Sequence, residues 1–232
     1  MAEASRSALE LSQAAEKATL AHRVQSNLLR VGLGPGLVIG ATQELLKGFG
    51  NLQPKIKVTI HEASAPEHFD SIIRGAIDVC ITESDMAFPG CASEALWRES
   101  PCVAFPAQHR LARNETVSWE QLADETFLLS GQGAFSEEIR EMLCSRLPRS
   151  CDRLIVHDIG FESVLRLVAI NYGLAFVCSS MARYVMDGVV FRPIAGESDG
   201  VRLRAIWARR NKSVSLLRFL SAARTFSRSC IT

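Results

Sequence analysis

Residues 29 to 83 carry the alternation of patterns that most constrains the fold. An apolar run ends in the Gly-Pro-Gly loop at 34–36, and a helical repeat of apolar side chains follows it. Apolar and polar residues then alternate at 56–61, which is the two-residue period of a strand. A second helical repeat closes at Gly75, and a mostly apolar strand core follows at 77–81. This order predicts a β-α-β-α-β unit, whose parallel sheet binds ligands at the carboxyl ends of its strands.

The carboxyl-terminal half of the chain repeats this plan without visible sequence identity between the halves. Apolar strand patterns at 126–129, 154–157 and 174–178 are separated by two helical patterns. A last strand pattern at 203–208 offers the chain a way back to its first lobe. The fold class is therefore predicted to be α/β, with two Rossmann-like lobes around a hinged cleft. The predicted segments are an amino-terminal helix at 1–28, a first lobe at 29–105 and 208–232, and a second lobe at 106–207.

Overall composition excludes several classes of protein. The 232 residues are enough to bury a core, and a formal net charge of +1 gives no global field that favours nucleic acid. The sequence contains no run of about 18 apolar residues, so no membrane contact is predicted. Residues 1–23 are charged and rich in alanine, without the apolar core of a secretion signal. These features predict a cytoplasmic protein.

The seven cysteines show neither the spacing of a metal site nor a C-x-x-C pair. Three of them, Cys80, Cys102 and Cys178, lie in apolar strand patterns. Buried, reduced thiols are the prediction, while a zinc site or a thiol catalyst finds no support in the spacing. The sequence also lacks a Ser-His-Asp arrangement that a motif would place. No cofactor, no metal and no catalytic residue is therefore predicted.

Residues 3 to 27 contain neither Gly nor Pro and are predicted to form one helix. Small apolar residues recur along it at alternating spacings of four and three, which gives a narrow seam suited to close helix pairing. Pairing with a second chain is favoured, and the alternative is a helix that lies on its own domain.

Several segments, taken in their order, resemble the effector-binding domain of LysR-type transcriptional regulators. The start at 29–34 is similar to that domain's first strand, and Gln53-Pro54 is similar to the turn into its second strand. Residues 69–78 match a helix that ends in the pattern L-x-x-G-x-[IL]-D. Residues 108–111 resemble an H-P-L segment in which Arg110 replaces the proline. The resemblance covers the chain from about residue 29 to its carboxyl end.

This resemblance implies a fold like that of type II periplasmic binding proteins and a role in sensing. A small-molecule effector, commonly an organic anion in this family, is expected between the lobes. The partners implied are a second copy of the chain, as homodimer or homotetramer, and DNA only through a winged helix-turn-helix that this chain does not contain. A stand-alone solute-binding protein and an enzyme of the same fold are the alternatives. The first predicts a secretion signal and the second predicts a catalytic constellation.

Candidate effector-binding residues follow the predicted strand ends. The loop at 34–36 is expected to feed a helix beginning near Leu37, whose free N–H groups would bind a carboxylate. A tight turn alone is the alternative there, and for Ser64 the alternative is helix capping. Glu83 would repel an anion unless it accepts from an amine or hydroxyl. The predicted effector-binding residues are Gly34, Pro35, Gly36, Leu37, Ser64, Thr82, Glu83, Ser130, Gly131, Gln132 and Phe161.

Overall fold

The computed structural model describes residues 27–34, 36–83, 87–131, 135–147, 152–197 and 200–230. The predicted amino-terminal helix therefore lies outside the described residues, apart from Asn27 in a turn and Leu28 in the first strand. The strands are β1 (Leu28–Leu33), β2 (Lys57–Glu62), β3 (Val79–Thr82), β4 (Cys91–Glu99), β5 (Pro101–Pro106), β6 (Phe127–Ser130), β7 (Leu154–His157), β8 (Ala175–Cys178), β9 (Val189–Pro193) and β10 (Val201–Ala208). The helices are α1 (Ala41–Leu52), α2 (Ala65–Arg74), α3 (Trp119–Leu122), α4 (Phe135–Arg146), α5 (Phe161–Ala169) and α6 (Val214–Cys230), with 3-10 turns at Arg110–Arg113 and Ser179–Arg183.

The first lobe is built on a five-stranded sheet in the order β2-β1-β3-β10-β4. Strand β1 runs parallel to β2 and to β3, as the β-α-β-α-β pattern predicts. Strand β10 is antiparallel to both β3 and β4. Parallel β1 and β3 therefore end at the same edge of the sheet, where ligands bind in such folds.

The second lobe follows the same strand plan. Strands β6 and β7 pair in parallel, and a parallel bridge between Phe127 and Leu174 connects β6 to the start of β8. Strand β5 then pairs antiparallel with both β8 and β9. The resulting order, β7-β6-β8-β5-β9, matches the first lobe strand for strand, so the predicted architectural repeat is present.

The predicted lobe boundaries are wrong at two strands. Strand β5 was assigned to the first lobe, but it is the centre of a sheet in the second lobe. Most of β10, residues 201–207, was assigned to the second lobe, but it pairs with β3 and β4 of the first. Both crossings between the lobes thus come one strand earlier than predicted, because antiparallel pairing with a distant segment leaves no local sequence signal. By sheet membership, the first lobe comprises residues 27–99 and 201–230, and the second lobe comprises 101–197.

Helix α6 returns the carboxyl-terminal end of the chain to the first lobe. Phe219 is fully buried and its ring meets that of Phe49 edge to face, with centroids 5.3 Å apart. Trp97 makes a similar contact with Phe226 at 5.4 Å. Aromatic burial of this kind anchors a helix strongly. Within the described part of the chain, no helix is both long enough and apolar enough to cross a bilayer.

The cysteines follow the prediction in part. Cys80, Cys91, Cys102 and Cys178 are free and buried, as expected for structural thiols. Cys144 on α4 is instead disulfide-bonded, so the prediction of reduced thiols throughout is wrong. Burial raises the pKa of Cys102 to about 11, with Glu99 adding to the effect. Burial also raises the pKa values of Cys80 and Cys178 well above the usual range.

These raised pKa values predict a loss of stability at alkaline pH. An unfolded thiol ionises at about pH 8.5, whereas the folded Cys102 keeps its proton until about pH 11. The unfolded state therefore binds fewer protons in this window, and the free energy of unfolding falls as pH rises, by about 1.4 kcal/mol per pH unit for each such thiol. Urea unfolding between about pH 8.5 and 10.5 measures the slope of the unfolding free energy against pH. Cys102→Ala should make this slope shallower by the contribution of one thiol, about 1.4 kcal/mol per pH unit. An unchanged slope in that variant would contradict the assignment.

Candidate functional site

A cavity of 1130 Å³ opens between the two lobes. Its walls come from the loop after β1, the end of β2 with the start of α2, the loop after β6 and the start of α5. The first-lobe wall consists of Gly36, Val38, Ile39, Glu62, Ala63, Ser64, Pro66 and Glu67. The second-lobe wall consists of Gly131, Gly160, Phe161, Glu162 and Ser163. The cleft thus lies at the carboxyl ends of parallel strands in both lobes, where ligands bind in folds of this kind.

The loop after β1 closes in turns and does not start a helix at once. The N–H of Leu37 donates to the carbonyl of Gly34 at 3.0 Å, and the N–H of Ile39 donates to that of Gly36 at 3.5 Å. Helix α1 begins only at Ala41, so the prediction of a helix start near Leu37 is wrong. The amides of Leu37 and Ile39 are therefore used within the loop. The segment therefore forms turns, and Gly36 within it lines the cleft.

Gly36 brings this loop against the second lobe. Its φ of 80° lies in the left-handed region, and a Cβ placed on it would come within 3.2 Å of the Phe161 ring. Any side chain at this position would therefore be strained and would push against Phe161. Gly36 and Phe161 form the contact between the lobes at the inner end of the cleft. A smaller cavity of 30 Å³ behind them includes Leu37 and Glu99.

Ser64 both caps α2 and lines the cleft. Its hydroxyl donates to Oε2 of Glu67 at 2.7 Å, and its backbone N–H donates to the same oxygen at 2.9 Å. This is a capping box, and both hydrogen bonds from Ser64 lower the pKa of Glu67. The Ser64 hydroxyl hydrogen is thus engaged by the protein's own carboxylate.

Helix α5 supplies the opposite wall. Gly160 is its N-cap, and Phe161 and Glu162 open its first turn toward the cleft. The Tyr184 hydroxyl donates to Glu162 at 3.2 Å. Ser130 has a supporting role, because its hydroxyl donates to the carbonyl of Ile159 at 2.7 Å.

The predicted site residues divide into three groups. Gly36, Ser64, Gly131 and Phe161 line the main cleft, and Leu37 lines the smaller cavity behind it. Pro35 and Gln132 lie outside the described residues. The members that line neither cavity are Gly34, Thr82, Glu83 and Ser130.

Three of the residues outside the lining, Gly34, Thr82 and Glu83, lie at the carboxyl ends of β1 and β3. Thr82 is buried at 3% exposure, at the end of β3. A Cβ on Gly34 would lie 3.4 Å from Oε2 of Glu83, so the carboxylate is packed against the loop after β1. Glu83 also raises the pKa values of Cys80 in the first lobe and Cys178 in the second. Its charge therefore acts at the boundary between the lobes.

Several lining residues were missed by sequence reasoning. Glu62, Ala63, Pro66 and Glu67 surround Ser64 at the end of β2, and Glu162 follows Phe161. Their positions in the sequence could have indicated them, because each lies within three residues of a predicted site residue, at a strand end or a helix start. Val38 and Ile39 were missed because the predicted helix included them.

The cleft is acidic. Three glutamates, Glu62, Glu67 and Glu162, belong to its described lining. That lining contains no Lys, Arg or His. Carboxylates stand on both walls, so the charges of the two lobes repel across the opening.

Glu99 holds the point where the chain passes between the lobes. It is 3% exposed, and Oε1 accepts from Trp97 Nε1 at 2.9 Å. Oε2 accepts from the Ser179 hydroxyl at 3.0 Å and from the Ser180 N–H at 2.9 Å. The Ser179 N–H in turn donates to the carbonyl of Ser100 at 2.8 Å. One buried carboxylate thus ties β4 of the first lobe to the turn that follows β8 of the second.

The described residues contain no group of three or more His, Cys, Asp or Glu side chains that would hold a metal ion. The residues lining the cleft are, in chemical terms, a binding surface of carboxylates, one aromatic ring and aliphatic side chains.

Two lobes of matching topology around a cleft define a two-domain, small-molecule-binding type of fold. The family model described as the LysR substrate binding domain matches residues 22–227, so the chain belongs to this family. Its members include transcriptional regulators, and the chain is 22% identical over 206 residues to the HTH-type transcriptional regulator AlsR of Bacillus subtilis. That alignment covers 86% of this chain but 65% of AlsR, so the chain spans about two thirds of that relative's length.

Solved structures of regulators share the fold. Full-length CbnR complexed with its target DNA superposes with a TM-score of 0.78 at 19% identity, covering 97% of this chain and 80% of that one. The BenM effector binding domain with its effector benzoate gives a TM-score of 0.75 at 17% identity, covering 87% of this chain and 92% of that one. These likenesses confirm the predicted fold class.

The Glu99 network yields a test of the connection between the lobes. Glu99→Ala leaves one buried and two half-buried donors without their acceptor, so we expect a loss of about 2–5 kcal/mol in the free energy of unfolding. Glu94→Ala on the same strand removes an ion pair with Arg224 that is partly exposed, and should cost at most about 1 kcal/mol. Urea unfolding of both variants measures the difference. Equal losses in the free energy of unfolding would show that the hydrogen bonds to Glu99 contribute no more to stability than a partly exposed ion pair does.

Proposed function

We propose that this chain is the effector-sensing part of a LysR-type transcriptional regulator. A small molecule binds between the lobes and thereby controls transcription through a DNA-binding domain. The observation that carries the proposal is the 1130 Å³ cleft, walled by strand ends and helix starts of both lobes. Membership of the LysR substrate-binding family supports the same reading.

The proposed mechanism is a change in the angle between the lobes. The crossing is held at the back by Glu99, whereas the contact between Gly36 and Phe161 lies at the cleft. A ligand that touches both walls binds the closed arrangement more tightly than the open one. It then shifts the population toward closure by that difference in affinity.

Within this proposal the effector contacts Gly36, Ser64, Gly131 and Phe161 directly. Leu37 extends the surface inward, and the sequence places Pro35 and Gln132 in the same two loops. The predicted residues outside the lining act indirectly, by shaping the loops and, in the case of Glu83, by its charge. They are Gly34, Thr82, Glu83 and Ser130.

We further propose that the chain acts as a homodimer or homotetramer in the cytoplasm. The family relationship and the small-residue seam in residues 3–27 support self-association. DNA contact would come through a helix-turn-helix domain and not through the lobes.

The proposal predicts ligand-dependent stabilisation that depends on the cleft. A library of small amines, alcohols and carboxylates is screened by thermal shift on the 232-residue chain. A ligand at about 100 times its Kd should add about 2.7 kcal/mol to the free energy of unfolding. Phe161→Ala removes an apolar wall and should abolish the shift.

Tyr172→Ala serves as the matched control, because Tyr172 is an aromatic residue of the same lobe that is 63% exposed and lies outside the cleft lining. It should keep the full shift. Hits that survive Phe161→Ala would place binding elsewhere, and the absence of any hit would count against a sensing role.

A further inference from the structure

We propose that the cleft selects a small organic cation, such as a protonated amine or a guanidinium group on an apolar body. This inference rests on the proposed function, since it names the class of effector for the same cleft. It replaces the organic anion that the family resemblance implied. Four observations on the described residues carry it.

The first observation is the charge of the lining. Glu62 comes from the first lobe and Glu162 from the second, and the described walls offer no cationic side chain to a ligand. A carboxylate ligand would enter a field of like charge. A cation would be attracted by both walls at once.

The second observation concerns the two helices that start at the cleft. The positive end of a helix dipole ordinarily favours an anion. Each of these helices already carries a glutamate in its first turn, Glu67 in α2 and Glu162 in α5. Glu67 accepts two hydrogen bonds from Ser64, at 2.7 and 2.9 Å, which hold it in its charged form. The Ser64 amide at the start of α2 is thus already bound by Glu67, and Glu162 adds a negative charge at the start of α5.

The third observation is the set of carboxylates behind the lining. Glu99 lines the smaller cavity at 3% exposure, and Glu83 lies against Gly34. The charges of both raise the pKa of Cys178, which lines the same smaller cavity behind the cleft. Two further carboxylates therefore lie behind the acidic lining.

The fourth observation is the apolar part of the surface. Val38, Ile39 and Pro66 face the Phe161 ring across the same cavity. These side chains suit a hydrocarbon or aromatic body, and the ring face also attracts a cation. An amine attached to such a body matches both the acidic and the apolar parts of the lining.

This charge pattern also supplies a reason for closure. Without a ligand, carboxylates on opposite walls oppose the approach of the lobes. A bound cation between Glu62 and Glu162 removes that repulsion and favours the closed arrangement. An anion would add to the repulsion.

The test compares matched ligands that differ in charge. Phenethylamine, 2-phenylethanol and 3-phenylpropanoate share a ring and a chain of similar length, and further aryl and alkyl scaffolds are used as the same three forms. Binding to the 232-residue chain is measured by thermal shift and by NMR titration. Amines should bind at least about tenfold more tightly than their carboxylates, and added salt should reduce that ratio.

The double variant Glu62→Gln, Glu162→Gln should lower the amine-to-carboxylate ratio to about threefold or less. Both side chains are exposed, so the fold should tolerate the change. The matched control is Glu115→Gln, an exposed glutamate outside the cleft lining, which should leave the ratio unchanged.

Carboxylates or alcohols that bind in preference to amines, with the shift lost in Phe161→Ala, would overturn this inference and leave the sensing function standing. An amine preference that survives the double variant would overturn it as well. A panel in which no compound of any charge binds would overturn both this inference and the proposed function.

Discussion

The buried carboxylate of Glu99 is the interaction on which the relation between the two lobes depends. Removing a carboxylate from water is costly, and here three donors from both lobes offset that cost. The second crossing lies alongside, because a side chain on Gly200 would collide with the carbonyl of Glu99. The two chain crossings are therefore packed against each other, which fixes the back of the molecule and leaves the cleft as the side that can open.

Local patterns in the sequence were sufficient for most elements of the fold. The alternation before Glu62 and the helical repeat closed by Gly75 predicted β2 and α2, because each depends on neighbours within one element. The lobe to which β5 and β10 each belong was not predictable in this way. Their pairing partners are far away in sequence, and an apolar strand fits either sheet equally well.

The candidate site was predictable in position more than in chemistry. The strand-end rule led to Ser64 and Phe161, which do line the cleft. It did not reveal that α1 starts at Ala41, because the apolar repeat continues through a loop whose Gly36 and Gly40 adopt positive φ. The same rule carries no information about charge, so it did not single out Glu62 and Glu162. The charge of the lining emerges only when both lobes are brought together.

The return of β10 to the first lobe has a consequence for how the chain is made. The second lobe is one uninterrupted segment, whereas the sheet of the first lobe lacks its fourth strand until β10 has been synthesised. A domain usually folds as a unit while the chain emerges from the ribosome. The lobe whose synthesis begins first is therefore completed last. During translation β3 and β4 are made well before β10, the strand that will lie between them.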